Sequence, residues 1–254
     1  MDASNVDPVI PYGPHSAQFI ECHRPKHGCA GRGVAVLVHG GYWRARHDLA
    51  LMNPLAESLT AAGWAVANIE YRRVGDGGSW PATMEDVRAA LDSLAASAWR
   101  REHPGPVVGV GHSAGGQLAV LAAERLDGVA ALAPVTDCAR TDREGLGENA
   151  AVEFFGSHAA ELPDAYAEAS PIHAPPLGVP VLILHGTVDV RVPLEHSLAY
   201  AEAARHAGAD VDLRVVPGLD HLSCIDPGNP AWAQVQSWLD GLGIHRSALS
   251  SPLA

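Results

Sequence analysis

Short, continuous apolar runs separated by stretches of helical spacing restrict the fold of this chain more than any other feature. The runs are Val34–Val38, Trp64–Ile69, Pro106–Val110, Val129–Ala133, Val181–Leu184 and Val211–Val216. Such a run reads as a strand buried on both faces. Between them Leu49–Ala62, Pro81–Trp99, Gln117–Ala123 and Leu194–His206 have helical character, and Ala231–Leu239 closes the series. This alternation predicts an α/β fold: a mostly parallel central sheet with helices on both faces. Asp48 is a natural N-cap, Gly63 a helix stop, and Thr83 with Asp86 reads as a capping box. The alternation breaks over 136–179, which is polar and patchily helical, and this is where a short insertion or lid would sit. Residues 1–16 read as a surface arm, Gln18–His23 as an edge strand and 246–254 as a frayed tail, all within a single domain spanning 1–254.

In a sheet of this kind ligands bind beyond the carboxyl ends of the strands, and that is where the chemically suggestive residues fall. Gly111-His112-Ser113-Ala114-Gly115 lies between a predicted strand and a predicted helix. A Gly-x-Ser-x-Gly pentapeptide in that context presents a serine on a tight, strained turn, with glycines where a side chain would collide. A serine hydroxyl needs a base beside it and a third group to orient the base. On this scaffold the order is serine, acid, histidine. Asp189 follows the run Val181–Leu184 and His221 follows Val211–Val216, so the candidate triad is Ser113, Asp189 and His221. Asp220 is set aside as the orienting acid, because an immediate neighbour reaches the imidazole poorly.

The chemistry also needs donors for the oxyanion. His39-Gly40-Gly41-Tyr42-Trp43 is a loop after an early strand, and the backbone N–H groups of Gly41, Tyr42 and Ala114 are the candidates. His39 reads as a structural residue bonding that loop. Trp43, His112, Phe154 and Phe155 are candidate pocket walls, and Glu70-Tyr71-Arg72-Arg73 reads as an ion pair bracing the loop. Cys224 reads as a buried thiol. The group Cys22, His23, His27 and Cys29 lacks the spacing of a metal site.

The formal charge is −12, with 17 basic against 29 acidic residues, which disfavours nucleic-acid and anionic-membrane partners. Four cysteines in 254 residues are too few for a disulfide framework. The opening Met1-Asp2-Ala3-Ser4-Asn5 is polar, and no apolar stretch is long enough to span a bilayer. The expectation is a cytoplasmic monomer or homodimer that acts on a small molecule without cofactor or metal.

The chain resembles the α/β-hydrolase superfamily from about Gln18 to Leu242. More narrowly, it is similar to hormone-sensitive-lipase-like and kynurenine formamidase-like esterases. The resemblance lies in His39-Gly40-Gly41-Tyr42-Trp43-Arg44, Glu70-Tyr71-Arg72, Trp80-Pro81-Ala82 and Gly111-His112-Ser113-Ala114-Gly115-Gly116. Tyr42 stands where many esterases have a third glycine, as in the formamidases. His185-Gly186-Thr187-Val188-Asp189 through Val192-Pro193 looks like the prolyl-oligopeptidase hydrolases, although this chain has no room for their propeller domain. The resemblance implies a serine hydrolase that cleaves small carboxylic esters or amides through an acyl-enzyme, of carboxylesterase or arylformamidase type. A small peptidase-like hydrolase and a non-catalytic binding protein on the same fold are the alternatives.

Overall fold

Val34–Val38, Ala65–Ile69, Gly128–Leu132 and Val181–Gly186 are buried at every position, as strands covered on both faces must be. The computed structural model describes residues 7–25, 32–176 and 178–249. Within them one sheet contains β1 (Val9–Pro11), β2 (Phe19–His23), β3 (Val34–Val38), β4 (Ala65–Ile69), β5 (Val107–His112), β6 (Gly128–Leu132), β7 (Val181–Gly186) and β8 (Val211–Val216). The spatial order is β1-β2-β4-β3-β5-β6-β7-β8. β2 pairs antiparallel with β1 and β4, and every other pairing is parallel.

The helices are α1 (Asn53–Ala61), α2 (Ala82–Ala96), α3 (Ala98–Glu102), α4 (Ala114–Leu121), α5 (Cys138–Arg143), α6 (Leu146–Phe155), α7 (Pro163–Glu168), α8 (Leu194–His206) and α9 (Trp232–Leu249). Alternate strand residues feed two cores. Ala35 and Leu37 pack with Leu55 and Leu59 of α1 and Val235 and Leu239 of α9. Val34, Val36 and Val38 belong to the other core, with Met84 of α2, Leu118 of α4 and Tyr200 of α8. Each valine or leucine buried this way contributes about 1.5–3 kcal/mol relative to exposure. A one-residue slip of β3 would exchange the two sets, so the register is strongly specified.

The structure departs from the sequence reading at several places. The N-terminal segment is not only an arm: Val9–Pro11 adds a strand outside β2, so β2 is not the edge. The helix expected over Pro81–Trp99 breaks at Ser97, whose side chain caps α3 by accepting from Arg100 N. Thr83 and Asp86 form no capping box. Thr83 lies inside α2 and donates to the Arg72 carbonyl (2.7 Å). The Asp86 carboxylate instead takes Arg72 Nε (2.9 Å), Arg72 Nη2 (2.7 Å) and Gln18 Nε2 (2.7 Å). α9 runs on to Leu249, into the segment read as a frayed tail. Asp48 does cap the short 3-10 turn Leu49–Met52 that precedes α1.

The described residues of 136–179 include three α-helices and a 3-10 turn, Pro171–His173, and α5 is absent from the sequence reading. Cys138, Ala150, Ala151, Phe154, Tyr166 and Ala169 are fully buried, so this segment is seated in the same core as α2 and α4. Among the described residues no helix is long and apolar enough to cross a membrane.

Candidate active site

β5 ends at His112, and α4 begins at Ala114. Ser113, between them, has φ 56° and ψ −120°, a strained backbone for a residue with a side chain. The turn is held from below. A Cβ on Gly115 would lie 2.1 Å from the Val38 carbonyl oxygen and 2.3 Å from that of His39. The end of β3 therefore rests directly on the turn, and only glycine permits the approach.

The loop after β3 is strained in the same way, with φ of 111° at Gly41, 53° at Tyr42 and 57° at Trp43. Among the described residues no backbone carbonyl takes the N–H of Gly41 or Tyr42, and Ala114 N–H is the first of α4. These are the unpaired donors that helix starts and tight loops offer. A Cβ on Gly40 would lie 2.9 Å from Ser113 Cβ, which puts this loop against the serine turn.

Glu70 sets the loop from the neighbouring strand end. Its carboxylate meets His39 Nε2 (3.0 Å) and Arg73 Nη1 (3.2 Å), and accepts from Leu49 N (3.0 Å) and Tyr71 N (2.9 Å). His39 Nδ1 contacts the Gly40 carbonyl (2.8 Å), while Tyr71 Oη donates to the His39 carbonyl (2.6 Å). The bracing read for Glu70–Arg73 is thus present, and it acts through His39.

β7 and β8 deliver the other two residues. Val188 N donates to the Leu219 carbonyl (3.2 Å) and Gly218 N to Thr187 Oγ1 (2.9 Å), which ties the two loops together. His221 Nδ1 lies 2.7 Å from Asp189 Oδ2. Asp189 Oδ1 accepts from Arg191 N and Val192 N, both at 2.9 Å. A further residue, missed in the sequence, completes the shell. His185 Nε2 faces the Val192 carbonyl (2.9 Å) and Asp189 Oδ2 (3.2 Å), with Ser197 Oγ 2.7 Å from Nδ1. Burial alone would raise the Asp189 pKa, but the hydrogen bonds from His185 and His221 outweigh it and hold the carboxyl well below the usual range. Asp220 turns away, its carboxylate accepting from Leu222 N, Ser223 N and Ser223 Oγ.

His112 links serine and base. Its Nε2 donates to the His221 carbonyl (3.0 Å), and the two rings lie 4.6 Å apart. No hydrogen bond joins Ser113 Oγ to His221 among the described residues; in unliganded sites such bonds are commonly long and tighten with substrate. His112 is 1% exposed, so it is a support beneath the site and not the pocket wall the sequence suggested. Trp43 and Phe154 are corrected likewise. Neither has any exposed surface; their rings stack at 4.6 Å, and Trp43 Nε1 donates to Gln117 Oε1 (2.9 Å). Phe155, half-buried, stacks on Tyr166 at 3.8 Å. Cys224 is buried and its thiol is pushed up to about 12 by burial, which leaves it inert at neutral pH. His27 and Cys29 lie outside the described residues. Among the described residues no group of three or more histidine, cysteine or acidic side chains is placed to hold a metal.

Burial, and then the neighbouring His221, lower His112 from 6.5 to about 3. Between those values the unfolded chain binds a proton that the folded one does not, so stability falls as pH drops. At pH 5 the wild type should have lost about 2 kcal/mol through this residue. A His112→Gln variant is expected to show a smaller fall in Tm between pH 7 and pH 5. Parallel melting curves for the two proteins would contradict this.

The sequence matches the prolyl oligopeptidase family over residues 62–241. It is 31% identical over 248 residues to Esterase LipQ of Mycobacterium tuberculosis (strain ATCC 25618 / H37Rv), covering 84% of this chain and 56% of that protein. The chain thus spans a little over half the length of that relative. A truncated carbohydrate esterase from gut microbiota superposes with a TM-score of 0.82 at 21% identity, covering 96% of this chain and 98% of that one. Thermogutta terrifontis esterase 2, in a form phosphonylated by sarin, superposes with a TM-score of 0.73 at 21% identity, covering 98% of both chains. The fold is the α/β-hydrolase fold.

Proposed function

Because this chain belongs to the prolyl oligopeptidase family, we propose that it is a serine hydrolase that cleaves small carboxylic esters through an acyl-enzyme. His221 takes the Ser113 proton as the hydroxyl attacks the ester carbonyl. Asp189 keeps the His221 proton on Nδ1 and stabilises the imidazolium as it forms. The N–H groups of Gly41, Tyr42 and Ala114 receive the oxyanion; one such donor is worth about 3 kcal/mol in the transition state. His221 then passes the Ser113 proton to the departing alcohol as the ester C–O bond breaks, which leaves Ser113 acylated; water, deprotonated by His221, attacks the acyl carbonyl, and the Ser113 oxygen leaves with that proton to release the acid.

The observation that carries this reading is the 2.7 Å contact between His221 Nδ1 and Asp189 Oδ2, beside a serine held at φ 56°. The similar proteins in sequence and in fold reported above bear the name esterase, which favours esters over peptides. Ser113 is 2% exposed, which suits a small substrate. The Tyr42 position keeps an arylformamidase activity as the second reading. A fluorophosphonate is expected to label Ser113 once per chain, read by intact-mass and peptide mass spectrometry, with no label on Ser113→Ala. A folded wild type that stays unlabelled sinks the proposal. Turnover of p-nitrophenyl acetate, p-nitrophenyl octanoate and N-formylkynurenine separates the two subtypes: hydrolysis of the acetate alone argues against the formamidase.

A further inference from the structure

The chain carries a formal charge of −12, and most of its arginines are engaged by protein acceptors. Arg44 holds Glu153, Arg72 holds Asp86, Arg73 holds Glu70 and Asp76, and Arg125 holds Asp92. Among the described residues only the guanidinium groups of Arg46, Arg143 and Arg191 have neither a hydrogen bond nor an ion pair. Arg46 and Arg191, both exposed, line one cleft of about 360 Å³ together with Tyr42, Leu146, Glu148 and Val190.

That cleft adjoins the site described above. Tyr42 belongs to the loop against Ser113, and its hydroxyl donates to the Arg191 carbonyl (2.7 Å). Arg191 N donates to Asp189 Oδ1 (2.9 Å). The charge of Arg191 is felt at Tyr42, His47 and His112. The opposite wall is the first turn of α6, which is left-handed, with φ of 61° at Gly147, 57° at Glu148 and 61° at Asn149, a conformation that residues with side chains rarely hold in succession. A Cβ on Gly147 would lie 2.7 Å from the Tyr42 ring, so this wall is packed onto the loop. Glu148 is the one acidic side chain lining the cleft; its carbonyl accepts from Arg44 (3.2 Å), and its charge acts on Arg44. Arg46 acts on Glu153 only through its charge, so two guanidinium groups with neither a hydrogen bond nor an ion pair, in an acidic protein, face a cleft beside the serine, an arrangement that favours an anion.

We propose that this cleft receives a carboxylate-bearing arm of the substrate, so that Arg46 and Arg191 set a preference for esters carrying a free carboxylate. The inference rests on the serine-hydrolase reading of the same site. Apolar surface from Tyr42, Leu146 and Val190 would cover the stem of that arm while the guanidinium groups take its end.

Two substrate pairs test it in the full chain. 4-Acetoxybenzoate against 4-acetoxybenzamide places the charge on the leaving group, and monophenyl adipate against phenyl hexanoate places it on the acyl group. The wild type is expected to favour the anionic member of at least one pair in kcat/KM, by about fivefold or more at low salt, with the advantage shrinking as salt rises. That ratio is expected to fall towards one in Arg46→Gln/Arg191→Gln and to invert in Arg46→Glu, with circular dichroism verifying the fold. No anionic preference in either pair, or a preference that survives the double substitution, overturns the inference. p-Nitrophenyl acetate turnover and fluorophosphonate labelling keep the two claims apart. If both succeed without anionic preference, the subsite alone fails; if neither occurs, the hydrolase reading fails and takes the subsite with it.

Discussion

Asparagine in place of Asp189 is expected to lower kcat for p-nitrophenyl acetate by about 10⁴-fold while the chain still folds. The reason lies in how the carboxylate is used. Oδ1 accepts from Arg191 N and Val192 N, and Oδ2 faces His221 Nδ1 and His185 Nε2. An amide has only one acceptor oxygen. If that oxygen stays with the two backbone donors, the amide NH₂ points at His221 and can bond only a lone pair on Nδ1. The proton is then driven to Nε2, the nitrogen that must be free to take the serine proton. If the amide flips, its NH₂ faces two N–H groups at short range, and the loop loses its anchor. Either way the base is presented wrongly. Pre-steady-state kinetics should place the loss in acylation, with KM little changed. A variant within tenfold of the wild type would mean that Asp189 does not orient His221.

Much of this was legible because the residues concerned sit in local patterns. The apolar runs gave the parallel strands, and the pentapeptide around Ser113 gave the turn, since strand, glycine spacing and helix are neighbours in sequence. What was not legible depends on contacts across the chain. Val9–Pro11 has no strand signal of its own and pairs only because β2 offers an edge. Asp86 looked like a cap three residues after Thr83, but Arg72, distant in sequence, wins its carboxylate. Trp43 and Phe154 looked like pocket walls because aromatics often are; the chain between them folds back so that each buries the other. His185 opens the stretch that resembles the prolyl-oligopeptidase hydrolases, but nothing local to it shows that its ring meets Asp189. α5 does have a local signal: Asp137 caps it by accepting from Arg140 N (2.8 Å). Arg46 and Arg191 could not be singled out among the basic residues until the partners of the others were known.

Removing the Glu70 side chain is expected to cost about 3–5 kcal/mol, the largest stability loss outside the apolar cores. Glu70 is 3% exposed, and Arg73 beside it is 7% exposed. In Glu70→Ala the Arg73 guanidinium keeps the His47 carbonyl and a 3.4 Å contact to Asp76, but it loses its buried counter-charge. Leu49 N and Tyr71 N lose their acceptor at the same time, and the cost of these orphaned buried donors is part of that loss. The loss should also reach the chemistry. His39 contacts the Gly40 carbonyl on one side and Glu70 on the other, so without Glu70 the loop carrying Gly41 and Tyr42 loses its brace. Glu70→Gln keeps the volume and one acceptor oxygen, and should fall between wild type and alanine in urea midpoint. If the brace positions the oxyanion donors, kcat at a temperature where both variants are fully folded should drop in the same order, with KM moving less. A large stability loss with unchanged kcat would make Glu70 a fold residue alone and remove it from the argument about the site.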